Sequence, residues 1–294
     1  MTENRWKGGK PATPSPWKSR SPQAERPVAP AVPREEAEQD PPQRVIRPAG
    51  EMRLYGINAC LAAFARRPGQ LRKVYLLESR IAELKPVLAW CVKHRLGYRV
   101  VENIDLDKLT GSRHHEGICF EMVRPPALAL ADLLAAQPPA PDPSLLIWLD
   151  GVGNPHNLGA LLRSAAHFAV AGVIVPKSSS LDLSGAAARV AEGGAEVVAM
   201  ARIDDQQAAI SSLRKAGYTI TATVPRDGAG LYASRIAPRT VLVFGAEGEG
   251  MNKALIETAD QRLTIPGSGI VESLNIAASA AVVLGEYWRQ QHAH

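Results

Sequence analysis

The sequence has few cysteines and no long apolar run. Its 294 residues include three cysteines, Cys60, Cys91 and Cys119, an odd number at wide spacing. This pattern argues against a disulfide framework and a zinc site, so we expect reduced, buried thiols and a cytoplasmic protein. No apolar stretch approaches the roughly 20 residues of a membrane span, and the polar N-terminus is not a signal peptide. We therefore expect a globular protein with no membrane partner and no metal.

Motifs of several enzyme classes are absent as well. Gly151 and Gly153 are not followed by the third glycine of a dinucleotide-binding fingerprint. No Gly-x-Ser-x-Gly surrounds Ser273, which argues against a hydrolase. Residues 114–116 are His-His-Glu, which is not the H-E-x-x-H motif of zinc proteases, and no other metal-binding set appears.

The charge is shared unevenly along the chain. Residues 1–50 carry nine Lys/Arg against six Asp/Glu, residues 51–126 thirteen against eight, and residues 127–294 twelve against fifteen. Basic surface holds a phosphate backbone independently of sequence. We expect the base-rich part to contact nucleic acid; the alternative is ordinary surface charge.

The first 49 residues contain ten of the 23 prolines and few aliphatic side chains. Such a segment cannot bury enough apolar surface to offset its ordering entropy, so residues 1–50 are predicted to be a disordered basic tail. It is either a passive tail or a tether for RNA, with cations and stacking rings at Arg5, Trp6, Lys7, Lys10, Trp17, Lys18 and Arg20.

The rest of the chain alternates between strand and helix patterns. Residues 51–124 predict a small α/β domain, with strands at 73–77, 98–101 and 118–123 and helices at 57–65, 81–96 and 105–109. Residues 125–143 predict a proline-flanked linker around a short helix at 129–136. Residues 144–294 predict a mostly parallel, doubly wound sheet. Its strands are expected at 145–150, 172–176, 196–200, 219–224, 240–244 and 261–265, and its helices at 157–169, 184–191, 205–216, 253–259 and 273–290.

Two glycine clusters each end a β-rich run, FGAEGEG at 244–250 and IPGSG at 265–269. Glycine lets the backbone approach a ligand with no Cβ in the way. Two such loops side by side at the carboxyl ends of parallel strands form a ligand crevice. The second loop is expected to open a helix whose first turn presents Ser273 and Asn275 to that crevice. This arrangement predicts a cofactor site with polar groups placed for chemistry.

A third block, GVGNPHNLG at 151–159, follows the strand at 145–150 and leads into a helix that carries Arg163. Pro155 suits a helix entry, and Asn157 lies where a helix N-cap is expected. Arg163 is two turns into an otherwise apolar helix, where a guanidinium needs a carboxylate, a phosphate or solvent.

In order, the three blocks resemble the N-L-G-x-x-x-R, F-G-x-E-x-x-G and I-P-x-x-G-x-x-x-S-L-N motifs of the SpoU (TrmH) family of RNA ribose 2′-O-methyltransferases. LYGINA at 54–59 and EGI at 116–118 resemble the small substrate-binding domain that often precedes the catalytic domain. The resemblance implies an α/β fold with a mostly parallel sheet and a C-terminal trefoil knot, preceded by a small α/β RNA-binding domain. It also implies S-adenosylmethionine as the cofactor.

The resemblance assigns catalysis to Asn157 and Arg163, and Glu247, Ser273 and Asn275 complete the polar set. Arginine is a poor base because its pKa lies above about 12, so we expect Arg163 to grip phosphate and orient the ribose hydroxyl. Glu247 is expected to anchor Arg163 or to hold its loop open. His156 and His167 are either bases or structural residues. Cofactor contacts are implied for Thr223, Gly245, Gly250, Ile265 and Leu274.

The sequence departs from the family pattern at Gly267, at residues 277–279 and at Glu116, where glutamine is usual. None of these removes a functional group from the site, so they bear on substrate choice and not on activity. We expect methyl transfer to a ribose 2′-hydroxyl in structured RNA, with ribosomal RNA favoured over transfer RNA. We also expect a homodimer joined through the C-terminal domain. Two alternatives stay open: a non-catalytic RNA-binding or assembly protein that keeps the fold, and an unrelated nucleotide-binding enzyme.

Overall fold

The structure is a computed structural model that describes residues 50–246 and 250–292. The tail predicted over residues 1–50 therefore lies outside the described residues except for Gly50. The described residues form two sheets within one compact unit.

The first sheet has four strands and belongs to the small domain. In chain order its elements are β1 (Glu51–Tyr55), α1 (Ile57–Arg66), β2 (Leu71–Leu76), α2 (Lys85–Lys93), β3 (Gly97–Val100), α3 (Asn103–Thr110) and β4 (Ile118–Val123). The strand order is β1-β4-β2-β3, with β4 antiparallel to both neighbours and β3 parallel to β2. Helices α1 and α2 pack on one face of this sheet and α3 on the other.

The structure differs from the sequence prediction in two elements of this domain. The pattern did not predict β1. The helix predicted over 81–96 is α-helical only from Lys85 to Lys93. Pro86 has no N–H to bond to a preceding turn, so it belongs to the first turn. At the other end Arg95 is left-handed (φ 55°), and Leu96 N donates to Cys91 O at 2.8 Å, which ends the helix.

The second sheet has eight strands, and every strand pairing in it is parallel, which confirms the predicted architecture. The strand order is β10-β12-β9-β11-β6-β7-β8-β5. The elements are β5 (Leu128–Ala129), α4 (Leu130–Ala135), β6 (Ser144–Asp150), α5 (Pro155–His167), β7 (Gly172–Pro176), α6 (Gly185–Ala191), β8 (Ala199–Ile203), α7 (Gln206–Lys215), β9 (Thr219–Thr223), β10 (Ala229–Gly230), β11 (Arg239–Gly245), α8 (Lys253–Thr258), β12 (Gln261–Thr264) and α9 (Ile276–His292).

The central strands of this sheet are buried on both faces, as expected for parallel strands between two helical layers. Along β6, Leu145, Ile147 and Leu149 pack with α5 and α9, whereas Leu146 and Trp148 point to the opposite layer with α4, α7 and α8. Each fully buried side chain of this size contributes about 1.5–3 kcal/mol to folding. This burial fixes the strand ends that form the candidate site.

Helix α5 spans Pro155–His167 where 157–169 was predicted, and three further elements differ more. Residues 128–129 of the proline-flanked segment form β5, which pairs with β8, and Leu133 of α4 is only 1% exposed. The strand predicted at 196–200 lies at Ala199–Ile203, because Gly194–Glu196 form a 3-10 turn after left-handed Glu192. The helix predicted from residue 273 begins at Ile276.

Helix α6 of the larger domain packs directly against the small domain. A Cβ on Gly185 would lie 2.3 Å from Arg53 O of β1, so only glycine permits this approach. Ala188 is buried in the hydrophobic core of the small domain. Cys60, Cys91 and Cys119 are buried and form no disulfide, as predicted. None of the helices in the described residues is long and apolar enough to cross a membrane.

Candidate active site

Four neighbouring strands of the large sheet end at one edge. Asp150 ends β6 directly beside Gly245 of β11, and Thr223 ends β9 beside Leu263 of β12. The predicted side-by-side placement of the two glycine loops needs one correction, because β9 lies between β11 and β12. The loops therefore flank Thr223, and the rule for parallel sheets places the ligand beside β6, where the connections reverse direction across the sheet.

The loop after β11 turns back tightly on Gly245. A Cβ there would lie 2.4 Å from Met251 N and 2.6 Å from Gly250 C, so any other residue would displace the loop. Ala246 and Gly250 exchange both backbone hydrogen bonds at 3.0 Å. The tip of this loop, with the predicted Glu247, lies outside the described residues.

Asp150 is a site residue that the sequence analysis missed. Its Oδ2 accepts a hydrogen bond of 2.7 Å from Asn252 N, which ties the end of the glycine loop to the end of β6. Close contact continues at the next residue, where a Cβ on Gly151 would lie 3.2 Å from Ala246 Cβ. The sequence did contain a signal that could have identified Asp150: a carboxylate at the last position of a buried strand, directly before a glycine.

Asparagines connect the first and third motif blocks. Asn275 Nδ2 donates to Asn157 Oδ1 at 3.1 Å, across 118 residues of chain. The sequence suggested that Asn157 is the N-cap of α5, and that was wrong. Asn154 is the cap and accepts from His156 N at 2.9 Å, because Pro155 takes the first helical position. The side chain of Asn157 is therefore left to face α9.

Asn275 also orders the start of α9. Its Oδ1 accepts from Ala277 N at 2.9 Å, and its carbonyl accepts from Ser279 N at 2.8 Å. The sequence placed Ser273 at this helix start, and that was wrong. Ser273 is exposed and lies in the loop before the helix. Its hydroxyl is thus exposed on that loop and not in the first turn of α9.

Arg163 lies on α5 between buried neighbours, yet its own side chain is exposed. Within the described part of the chain it forms no ion pair, and its predicted partner Glu247 lies outside that part. His156 and His167 on the same helix are exposed, and the His167 ring contacts Phe168 edge-on at 4.9 Å. A fixed positive charge on α5 is therefore open to an anionic ligand.

The predicted cofactor residues line the same edge. Thr223 Oγ1 donates to Val243 O at 2.8 Å, so its hydroxyl stabilises the sheet and leaves its main chain at the crevice. Ile265 is half-buried against the core, whereas Leu274 is 45% exposed. Gly250 is left-handed at φ 76°. Among residues 50–246 and 250–292, no cluster of His, Cys, Asp and Glu could hold a metal ion.

A parallel sheet with glycine loops, a tethering carboxylate and a pair of asparagines at its carboxyl edge defines an α/β protein of the class that binds ligands at that edge. Residues 144–285 match the model described as the SpoU rRNA Methylase family, and residues 53–127 match that described as RNA 2′-O ribose methyltransferase substrate binding. The chain belongs to the SpoU rRNA methylase family.

Individual proteins agree with that assignment. The chain is 38% identical to the "Uncharacterized tRNA/rRNA methyltransferase YfiF" of Escherichia coli O157:H7, over 83% of this chain and 70% of that protein. It is 38% identical to the 23S rRNA (guanosine-2′-O-)-methyltransferase RlmB of Pasteurella multocida, over 81% of this chain and 98% of that protein. A solved AdoMet-bound rRNA methyltransferase from Sinorhizobium meliloti has a TM-score of 0.69 at 21% identity, covering 83% of this chain and 88% of that one, which establishes the shared fold.

Proposed function

We propose that this protein transfers a methyl group from S-adenosylmethionine to a ribose 2′-hydroxyl of structured RNA. The observation that carries this proposal is the hydrogen bond between Asn157 and Asn275, which joins two motif blocks at the strand edge where the glycine loops lie. The names of two relatives at 38% identity support methyl transfer to RNA, and the name of the Pasteurella multocida relative, a 23S rRNA 2′-O-methyltransferase, favours ribosomal RNA.

The residues of the crevice fit the proposed cofactor. Thr223, Gly245, Ile265 and Leu274 bring main-chain groups to this edge beside half-exposed apolar side chains, and Gly250 closes the loop through its two backbone bonds with Ala246. A mixture of polar and apolar surface suits an adenosine group. Asp150 and the Ala246–Gly250 bridge hold the glycine loop in shape. Bound S-adenosylmethionine supplies the sulfonium-linked methyl group that the ribose oxygen attacks.

The polar residues bind and orient the RNA in this proposal. Arg163 grips a phosphate and directs the adjacent ribose hydroxyl, because its guanidinium stays protonated and cannot act as a base. Asn157 and Asn275 fix the hydroxyl in line with the methyl group, and Ser273 and Glu247 complete the polar set. Rigid positioning is a large share of catalysis in such a transfer. The proton leaves to water or to a neighbouring group.

A second copy of the chain is the proposed partner in solution. The loop before α9 exposes Ile270 by 88% and Val271 by 67%, next to Leu274 at the crevice. An isologous dimer through the C-terminal domain would cover this apolar loop. We further propose that the C-terminal segment forms the family's trefoil knot, that the boundaries 51–124, 125–143 and 144–294 delimit the domains, and that the protein works in the cytoplasm.

Transfer of a labelled methyl group, followed by digestion of the product to nucleosides, tests the function. The substrate is unmethylated large-subunit ribosomal RNA made in vitro, and the matching DNA and transfer RNA are run in parallel. We expect the label on a ribose in RNA and none in DNA, which lacks the 2′-hydroxyl. A label on a base, or cofactor binding with no transfer to any RNA, would contradict the proposal, and the second result would favour a non-catalytic RNA-binding protein.

Site variants sharpen the same assay. Asn157→Ala, Asn275→Ala and Arg163→Ala are each expected to slow single-turnover transfer by roughly a hundredfold or more, since small misplacements of the reacting groups cost that much. Asn103→Ala and Arg235→Ala remove exposed side chains of the same types on α3 and before β11, so they serve as controls. Equal rates in the site and control variants would show that Asn157, Asn275 and Arg163 have no role in catalysis.

A further inference from the structure

Arg202 of β8 binds the loop that follows the neighbouring strand β7. Its guanidinium donates hydrogen bonds to three main-chain carbonyls, namely Pro176 O at 3.4 Å, Ser179 O at 3.3 Å and Leu181 O. The planar fork of five N–H donors suits arginine to holding several carbonyls at once. The loop also starts on β8, because Lys177 N donates to Ile203 O at 2.8 Å. We call residues 177–183 the clamp loop.

The clamp loop lies beside the loop that leads into α5. β6 and β7 are neighbouring parallel strands, so the loops after them leave the same edge of the sheet. Ser179 Oγ donates to Val152 O at 3.4 Å, and Leu181 is fully buried in the hydrophobic core that also contains Val152 and Leu158. These two core residues lie on either side of Asn157 in the chain. A displaced clamp loop would therefore shift the segment that places Asn157.

The clamp loop also reaches the small domain. Arg124, which follows β4, donates through Nη1 to Asp182 Oδ2 and, at 3.2 Å, to Leu183 O. Asp182 Oδ1 is 3.8 Å from Arg202 Nη2, so this carboxylate lies between one arginine from each domain. A single loop thus contacts the small domain, β8 and the segment before α5.

A purely structural role is the alternative for Arg202, and Arg239 has such a role. The guanidinium of Arg239 also donates to three carbonyls, those of Pro138 at 2.9 Å, Asp142 at 3.0 Å and Ala216 at 2.8 Å. These carbonyls lie in the segments before β6 and β9, at the amino edge of the sheet. Arg202 makes the same kind of contact at the carboxyl edge, where Asn157 and the glycine loops lie. The position of Arg202, and not its bonding alone, therefore points to a role in the reaction.

We propose that Arg202 is a positioning residue for methyl transfer. It holds the clamp loop in the shape that supports the segment before α5 and presents Asp182 to Arg124. RNA on the small domain and the ribose beside Asn157 are thereby kept at a fixed separation. Arg202 acts through the loop and not on a reacting group, because its guanidinium is engaged with three carbonyls. This inference rests on the proposed function, since a positioning role needs the reaction that it serves.

Substitution of Arg202 separates positioning from binding. Arg202→Ala should slow single-turnover transfer at saturating ribosomal RNA and S-adenosylmethionine by at least about tenfold, because small displacements of the reacting groups cost that much. The Kd for each ligand should stay close to that of the wild type, since no contact to either is removed. Arg202→Lys keeps the charge but replaces the fork with a compact ammonium, so it should recover only part of the rate.

The matched control is Arg239→Ala, which also removes a guanidinium from three carbonyls. It should lower the melting temperature at least as much as Arg202→Ala, because Arg239 is buried and Arg202 half-buried. Its transfer rate at saturating substrates should equal that of the wild type. An equal loss of rate in both variants would reduce Arg202 to a structural residue, and an unchanged rate in Arg202→Ala would overturn the proposal. If either alanine variant does not fold, Arg202→Lys and Arg239→Lys give the same comparison.

Two further measurements test the path through the clamp loop. The rate losses of Arg124→Ala and Arg202→Ala should not add in the double variant, because both act through Asp182. Fully additive losses would contradict the link to the small domain.

Hydrogen exchange of residues 151–158 needs no activity, and it should be faster in Arg202→Ala than in Arg239→Ala. If this difference is present and the wild type methylates no RNA, the proposed function fails and the hold of Arg202 on the segment before α5 stands. Equal exchange in the two variants would overturn the inference even if the wild type is active.

Discussion

Arg67 of the small domain and Glu196 of the larger one form a two-point ion pair across 129 residues of chain. Arg67 Nε donates to Glu196 Oε2 and Nη2 to Oε1, both at 2.8 Å, while Nη1 donates to Val123 O at 2.8 Å. The two side chains are only 11% and 9% exposed. Glu196 lies in the 3-10 turn that packs on α5, so this pair connects the small domain to the helix that carries Arg163.

Breaking this pair should destabilise the protein strongly. Arg67→Ala leaves a nearly buried carboxylate without its partner, and we expect a loss of about 3 kcal/mol in the free energy of unfolding. Arg66→Ala removes the neighbouring exposed arginine and should change stability by less than about 0.5 kcal/mol. Urea unfolding measures both, and limited proteolysis reports whether the domains separate before they unfold. Equal stability of the two variants would mean that the ion pair has no net effect.

Glu116 forms a second contact between the domains. Its Oε2 accepts from Ile57 N at 2.9 Å at the start of α1, and its Oε1 is 2.9 Å from Arg189 Nη2 on α6. Glutamine, usual here in the family, can still accept from Ile57 N but cannot form the ion pair. The departure from the family pattern thus adds a domain contact, although the sequence suggested a role in substrate choice.

Two substitutions of Glu116 should therefore differ. Glu116→Gln loses only a half-exposed ion pair and should cost up to about 1 kcal/mol. Glu116→Ala also removes the acceptor at the helix start, which adds about 1 kcal/mol. Equilibrium unfolding of the two variants, with Arg189→Ala as the matched loss of the partner, checks the order. Identical losses for glutamine and alanine would assign the whole effect to charge.

Asp150 should control cofactor binding more than stability. Asp150→Ala removes the acceptor of the 2.7 Å hydrogen bond from Asn252 N, so the glycine loop loses its tether. A hydrogen bond to a charged group contributes about 1.5–3 kcal/mol, so the Kd for S-adenosylmethionine should rise by roughly tenfold or more. Asp150→Asn retains an acceptor, so its Kd should lie between those of the wild type and the alanine variant. Calorimetry with the cofactor and with its demethylated product measures the change, and an unchanged Kd in the alanine variant would exclude this role.

The sequence predicted the strand ends because glycine clusters, buried runs and polar residues occur there in order. It could not predict that β9 lies between β11 and β12, because strand order depends on packing between distant segments. The contact between Asn157 and Asn275 was hidden for the same reason. Only the three-block resemblance indicated that these segments meet.

The errors at helix starts have a local cause. Asparagine is a good capping residue, so Asn154 and Asn157 were both candidates for the N-cap of α5. Asn154 is the cap because proline favours the first helical position and Pro155 follows Asn154 directly. Ser273 and Asn275 compete in the same way, and Asn275 caps α9 while its amide reaches Asn157. A side chain at a helix start can thus serve the fold, the site or both, and the sequence pattern alone does not distinguish these roles.

The last prediction concerns pH. On α9, the carboxylate of Glu286 accepts hydrogen bonds from Arg289 at 2.7 and 2.8 Å and from Gln290 at 2.7 Å. The bonds from Arg289, followed by that from Gln290, lower the pKa of Glu286 from 4.5 to about 2. Because the folded pKa lies below the unfolded value, this carboxylate stabilises the protein fully above about pH 4.5, and the contribution is lost as pH falls towards 2.

Glu286→Gln should therefore be less stable than the wild type at pH 7, with a difference that shrinks below pH 4.5. Urea unfolding between pH 7 and 3 measures the difference, and Arg289→Ala should reduce stability without adding fully to Glu286→Gln in the double variant. A stability difference that is constant over this pH range would show that Glu286 acts through packing and not through its charge.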